Sequence, residues 1–369
     1  MALKVSWRQA LAWRMERQFL DPLGNASVEE VVSRLSGVQA QVASSAELAI
    51  RLRRRQSAPT EVAQALADGR LIKTWAMRGT LHLLTPEEGG AALSLIATDK
   101  SWHRPSWQRY FGMSIAQMEA LGRAIAETLR GRVLTREELI AELVKQPDLG
   151  HVGEALRSGW GTLLKPAAWQ GDLCFGPNRG TRVTFTHPSS ASKAWAGVPD
   201  PDEAGPIVLR RYLAAYGPAT IENFSAWLAR PSRRRLKAWF AATVDLTEVE
   251  VDGNSAFVRA EDVDELGGSK PTRSVRLLGG FDQWVLGPGT GDTHVIPAGR
   301  RTQVSKQSGW IAPIVVVGGV VAGTWDLQRD LVKVSWFSEA GGPPKKGLAE
   351  ELERLSSVVG RPLRADVVG

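Results

Sequence analysis

The sequence predicts an α+β protein of consecutive helical modules, each closed by a β-hairpin, with a strand-rich C-terminal region. Three observations carry this prediction. A helix-start signature recurs three times, an alternating hairpin pattern follows each copy, and strand-like apolar runs dominate after about residue 275. At 369 residues the chain has room for two or three domains.

The first copy, "NASVEEVVSRL", sets Ser27 three residues before Glu30, and "VLTREELIAEL" sets Thr135 before Glu138. Both are capping boxes, in which hydroxyl and carboxylate satisfy opposite orphan N–H groups at a helix start. The third, "PATIENFSAWL", has Thr220 as N-cap and Asn223 as a weaker reciprocal partner. Each follows an earlier apolar-periodic helix: "SWRQALAWRMERQFL", "SIAQMEALGRAIAETLRG" and "GPIVLRRYLAAYG". Each leads through a further helical segment into paired strands. The second hairpin is expected to turn at "GPNRG" and the third at Asp252-Gly253-Asn254. Helix, capped helix, helix, hairpin is the order of a winged helix-turn-helix, and three repeats predict a tandem array. The expected boundaries are 1–115, 116–190 and 201–275 for the three winged modules, with 276–369 as the β-rich region. Residues 191–206, small, Pro-rich and acidic, read as the linker before the third module.

In the last region "WIAPIVVVGGVVAG" reads as two buried strands joined at Gly318-Gly319, being too short and Gly-broken to span a bilayer. Residues 288–309 form a long polar loop, and "KKGLAEELERLSSVVG" a final helix packed back on the strands. The start of the chain has no signal-peptide pattern, and one cysteine, Cys174, excludes an internal disulfide framework. The expectation is a soluble, cytoplasmic, nucleoid-associated monomer with no membrane contact.

Lys plus Arg exceed Asp plus Glu by 46 − 39 = 7, and the surplus is clustered. Arg179 and Arg182 lie on the second predicted wing. Arg230, Arg233, Arg234, Arg235 and Lys237 open the third module's last helix, and Arg300, Arg301 and Lys306 sit in the long loop. These positions suit phosphate contacts with DNA. The run "RLRRRQ" (Arg51, Arg53, Arg54, Arg55) reads instead as a solvated face. Most of the fourteen tryptophans recur at core spacing; Trp102 and Trp107, in a polar segment, are the two whose surroundings fit exposure.

The five histidines are scattered without metal-ligand spacing, and no P-loop, dinucleotide or nucleophile-elbow motif occurs in its required context. No metal and no cofactor is expected. One stretch, "SGVQAQ", sets Gln39 and Gln41 on either side of Ala40. In a helix the two amides would point about 200° apart. In an extended segment they would share one side, and Gly37 offers the backbone freedom for such a break.

"SGVQAQ", "TWAMRGTLHLLTPEE", "RRYLAAYGPATIENFSAWL" and "GTWD", in this order, resemble the AlkZ family of bacterial winged-helix DNA glycosylases, over essentially the whole chain. That family includes enzymes that unhook azinomycin-type interstrand crosslinks. The resemblance implies that Gln39 and Gln41 are the catalytic pair; a related branch carries Asp where this chain has Gln41. It places Arg78 and His82, in "RGTLHL", in the first module near the active site, supporting the motif or DNA or serving the first wing structurally. The chain departs from its relatives in "LLGGFDQWVLGPGTGD", where they carry a Pro before the Phe/Tyr-Asp pair and a more regular continuation.

The chemistry fits that implication. An amide can neither activate water as a base nor protonate a leaving base at neutral pH; it donates and accepts hydrogen bonds. Two glutamines therefore suit a substrate that carries its own activation. N7-alkylguanine is cationic, and departure of the base removes the charge. The pair would place water against C1′ and favour developing charge on the sugar. No Lys nucleophile stands beside the motif, so hydrolysis is expected rather than a Schiff-base route. The expected partner is double-stranded DNA with N7-alkylguanine adducts or crosslinks, in repair or self-resistance. A bulky adduct would lie in a groove beside the 288–309 loop, without full base flipping. The competing reading is a non-catalytic winged-helix regulator or damage sensor.

Overall fold

The computed structural model describes residues 3–146, 148–159, 161–228 and 231–369; Arg230 lies outside them. The chain is a mixture of helices and several sheets, divided into two compact units. The first comprises Met1–Glu61, Leu209–Trp227 and Leu236–Gly369, and the second Val62–Val208 and Leu228–Arg235.

The first unit opens with three helices, α1 (Trp7–Arg17), α2 (Val28–Arg34) and α3 (Ala43–Arg51). The Ser27–Glu30 box starts α2 as read from the sequence, and Thr220 and Asn223 bond reciprocally at the start of Ile221–Leu228. Ser6 and Gln9 form a further box at α1. The hairpin Leu246–Val251/Asn254–Arg259 turns at Asp252-Gly253, whose φ values of 44° and 81° match the twist of a two-residue turn. Lys4–Val5 adds a parallel strand to this hairpin, a pairing with no local signal in the sequence. Trp13, Val249, Val251 and Val258 form the core beneath it.

The β-rich region is a sheet in the order Val275–Leu278, Ile314–Val317, Val320–Gln328, Leu331–Trp336, Arg364–Val368. The hairpin turn falls at Gly318-Gly319, as expected. The final helix, Lys345–Val359, packs Leu348, Leu355 and Val358 against Val275, Leu277, Val332 and Val334. Residues 288–309 are far from featureless. Val295, Ile296 and Val304 are buried, the Val295 carbonyl accepts from the Val321 N–H, and Arg301–Val304 is a short helix. Apolar anchors hold what composition alone reads as a polar loop.

In the second unit the strand order is Leu81–Leu84, Ile72–Trp75, Cys174–Arg179, Arg182–Thr186, Leu134–Thr135. The Thr135–Glu138 box starts Arg136–Leu143, and a Ser114–Gln117 box starts Ile115–Leu129. The hairpin turns at Gly180-Thr181, on the last residue of "GPNRG"; the strand runs on through Arg179 with an irregularity after Gly176. The helix Pro201–Tyr216 starts inside the expected linker, where the Asp200 carboxylate accepts from the Asp202 N–H. Trp102 is buried and Trp107 half-buried against Phe111, so both belong to the core. Among the described residues no helix is long and apolar enough to cross a membrane.

Candidate active site

The glutamine pair lies in the link between α2 and α3. α2 ends at Leu35, and the chain reverses through Ser36 and Gly37, with φ of 52° and 109°. The Gly37 N–H returns to the Val32 carbonyl at 2.9 Å. A side chain at a φ of 109° is strained, so glycine is required where the helix gives way to extended chain. Val38–Gln39 is a short strand, residues 41–42 form a bend, and α3 begins at Ala43. The pair therefore sits on non-helical backbone, Gln39 on the strand and Gln41 in the bend. Gln39 is 5% exposed and Ala40 2%, whereas Gln41 is exposed.

Both ends of the link are tied into the first unit. Upstream, the buried Tyr216 hydroxyl donates to the Leu35 carbonyl at 2.8 Å. Downstream, Arg53, just past α3, donates to both oxygens of Asp282 at 2.8 Å, with both side chains fully buried. Arg53 also donates to the Ala49 carbonyl at 2.8 Å and to Gln18 Oε1 at 3.3 Å. Gly279 and Gly280 lie along α3: a Cβ built at each would stand 3.0 Å from Leu48 and 3.7 Å from the Ser45 hydroxyl, respectively.

The "RLRRR" run is thus not the solvated face expected of it. Arg53 is an internal pin, Arg54 pairs with Glu61 and donates to the Ala26 carbonyl, and Arg51 pairs with Glu47. Arg55, though exposed, donates to the Leu23 carbonyl. Guanidinium geometry allows several bonds at once, and this run spends them on backbone and carboxylates within the fold.

Arg78 lies in the turn between Ile72–Trp75 and Leu81–Leu84, with φ of 57°. His82 is fully buried on the second of these strands, its Nδ1 3.0 Å from the Thr80 carbonyl. Burial, and secondarily the Arg78 charge, push its pKa down to about 3, so the ring is neutral at physiological pH.

The basic residues read as DNA contacts divide into two groups. Arg179 pairs with Glu138, Arg235 with Asp202 and Arg300 with Glu339, and the Arg300 guanidinium also lies over the Phe337 ring. Arg182, Arg233, Arg234, Lys237 and Arg301 are exposed, with no ion-pair partner among the described residues. The exposed Trp310 has no counterpart in the sequence reading. Trp310 is 48% exposed, edge-on to Phe281 at 5.0 Å, and closes a tight turn with the Lys306 N–H donating to its carbonyl. A Cβ at Gly280 would stand 2.9 Å from the Ile311 carbonyl and 3.7 Å from the α3 Ser45 hydroxyl, so this turn flanks the start of α3. The only sequence signal was a tryptophan following Ser308-Gly309 in a polar stretch.

Comparison with known proteins agrees with this architecture. The AlkZ-like DNA glycosylase family model matches residues 32–358. An interstrand DNA cross-link repair glycosylase of Streptomyces sahachiroi is 48% identical over 369 residues, covering 98% of this chain and all of that protein. The solved structure of the Streptomyces sahachiroi DNA glycosylase AlkZ superposes with a TM-score of 0.96 at 47% identity, covering 99% of this chain and all of the other. A glutamine pair on non-helical backbone, a near-complete family match and a fold shared end to end lead to one assignment: the chain belongs to the AlkZ-like family and is a DNA glycosylase.

Proposed function

We propose that this glycosylase hydrolyses the N-glycosidic bond of cationic N7-alkylguanine in duplex DNA, including bulky adducts and interstrand crosslinks, with Gln39 and Gln41 as catalytic residues. The observation that carries the reading is the non-helical 38–42 link, which frees two neutral amides from the opposed faces a helix would impose and sets no acid or base between them. The cationic leaving base needs no protonation, so the enzyme's task reduces to placing water against C1′ and favouring positive charge on the sugar. Gln39, almost fully buried, is the fixed member; Gln41, exposed, is the one that incoming DNA and water can reach. Bond cleavage consumes one water: its oxygen bonds to C1′, the electron pair of the C1′–N9 bond goes to the base, and a proton is released to solvent.

The supporting DNA surface comprises Arg182, Arg233, Arg234, Lys237 and Arg301 as phosphate contacts, with Arg179, Arg235 and Arg300 held as internal ties that DNA would have to displace. Lys306 and Trp310 lie beside the lesion. Arg78 and neutral His82 support the first module. The enzyme works as a cytoplasmic monomer, its repeated capped helices and hairpins forming tandem winged-helix modules at 1–115, 116–190 and 201–275 ahead of the 276–369 region.

A duplex carrying N7-methylguanine tests this. Single-turnover reactions with the parent protein should yield alkali-labile abasic sites well above spontaneous depurination. Gln39→Ala and Gln41→Ala should each lower that rate about a hundredfold while retaining DNA affinity. Parental rates in both variants would remove the glutamines from the mechanism. Tight sequence-selective binding to undamaged DNA, with no release of any cationic base, would favour a regulator.

A further inference from the structure

We propose that Tyr216 and the Arg53–Asp282 pair are positioning residues for this reaction, forming a two-ended clamp that fixes the reach of Gln39 and Gln41. The inference rests on the catalytic reading of that pair. The link from Ser36 to Val42 is short, with left-handed backbone at its start, two residues of strand at Val38–Gln39 and a bend at its end. Beyond that strand, its geometry depends on what holds its two ends.

At the upstream end a phenol adds to the backbone bonds that close α2. Tyr216 terminates the helix Pro201–Tyr216, is fully buried, and donates to the carbonyl of Leu35, four residues before Gln39. Its ring is seated by Gly287, where an added Cβ would come within 2.0 Å of the ring. The neighbouring Tyr212 hydroxyl donates to the Gly287 carbonyl at 3.1 Å, holding that glycine in place.

The downstream end is held by an ion pair. Arg53 grips the last turn of α3 through the Ala49 carbonyl and joins it to Asp282. Asp282 also accepts the Trp284 N–H at 2.7 Å, and Gln18 bridges Arg53 to the Ala215 carbonyl at 3.0 Å. Residues 215 and 216 thus carry both ends: Ala215 through Gln18 and Arg53, Tyr216 through Leu35. A shift in either end would translate α3 or rotate the link. A displacement of about 1 Å at a catalytic group can cost a hundredfold in rate.

The test is Tyr216→Phe, which removes one hydroxyl and keeps the ring. Expected are a single-turnover rate on N7-methylguanine duplex lowered about tenfold or more, DNA affinity within about twofold of the parent, and a nearly parental melting temperature. If the hydroxyl acts through the glutamines, adding Tyr216→Phe to Gln41→Ala should cost little more than Gln41→Ala alone. Parental rate in the folded Tyr216→Phe protein, or the same proportional loss in both backgrounds, would overturn the clamp. As a second variant, Arg53→Met with Asp282→Leu replaces the buried pair by apolar groups of similar size, an exchange that commonly preserves folding. That protein should fold, bind DNA and turn over slowly; a parental rate would overturn the downstream half. Inactive glutamine variants beside a fully active Tyr216→Phe would sink the clamp alone. Glutamine variants with parental rates would sink the catalytic reading beneath it.

Discussion

His82 shows what burial does to one titratable group. Its ring is fully enclosed, Nδ1 faces the Thr80 carbonyl and Nε2 has no hydrogen-bond partner among the described residues. In the unfolded chain a histidine takes up a proton near pH 6.5, whereas here the pKa lies at about 3. Between those values the unfolded state binds more protons than the folded one. The stability contributed by the neutral ring is therefore complete above pH 6.5 and lost as pH falls toward 3, at about 1.4 kcal/mol per pH unit. Urea unfolding at pH 7 and pH 5 should show a loss that His82→Gln reduces. An equal loss in both proteins would assign the acid sensitivity elsewhere. Nothing in "RGTLHL" alone separates this enclosed ring from a DNA-facing one, because burial is a property of the packed sheet and not of the neighbours in sequence.

At the level of elements, what could be read in advance was local. The Ser27, Thr135 and Thr220 starts each need only a hydroxyl and a partner three residues on, and all three formed. The Gly318-Gly319 and Asp252-Gly253 turns are equally local, since both central residues of each have positive φ. The Lys4–Val5 strand and the Arg53–Asp282 pair join residues more than two hundred positions apart, and no spacing rule reports such a meeting. Nothing in "GGFDQW" therefore marks Asp282 as the partner of a buried arginine. The non-helical link at Gln39–Gln41 was half legible: Gly37 signalled the break, but the opposite burial of the two amides follows from packing. A local element makes a local prediction. Thr135 is 2% exposed and accepts the Glu138 N–H at 3.2 Å, so Thr135→Ala should cost about 1 kcal/mol. Thermal melting should fall by a few degrees; an unchanged midpoint would mean that the sheet, rather than the cap, holds Arg136–Leu143 in place.

For the whole molecule, net charge is a poor guide to the nucleic-acid surface because arginine serves two purposes in this fold. Arg14 and Arg53 are fully buried, and Arg54, Arg179, Arg259, Arg276 and Arg300 hold carboxylates of the same chain. A surplus of 7 over 369 residues therefore says little about how many cations meet phosphate. The exposed set without ion-pair partners among the described residues, Arg182, Arg233, Arg234, Lys237 and Arg301, says more. Each phosphate contact made to duplex DNA releases condensed counterions, so log affinity falls with log salt by about 0.9 per contact. Titrating an undamaged duplex across a range of salt concentrations should give a slope that becomes shallower by about that amount for each of Arg233→Gln, Arg234→Gln and Lys237→Gln. Arg300→Gln should leave the slope nearly unchanged, since its guanidinium is already committed to Glu339 and the Phe337 ring. If Arg300→Gln flattens the slope as much as the others, DNA must compete successfully with that internal pair. The loop would then be part of the binding surface through its charge.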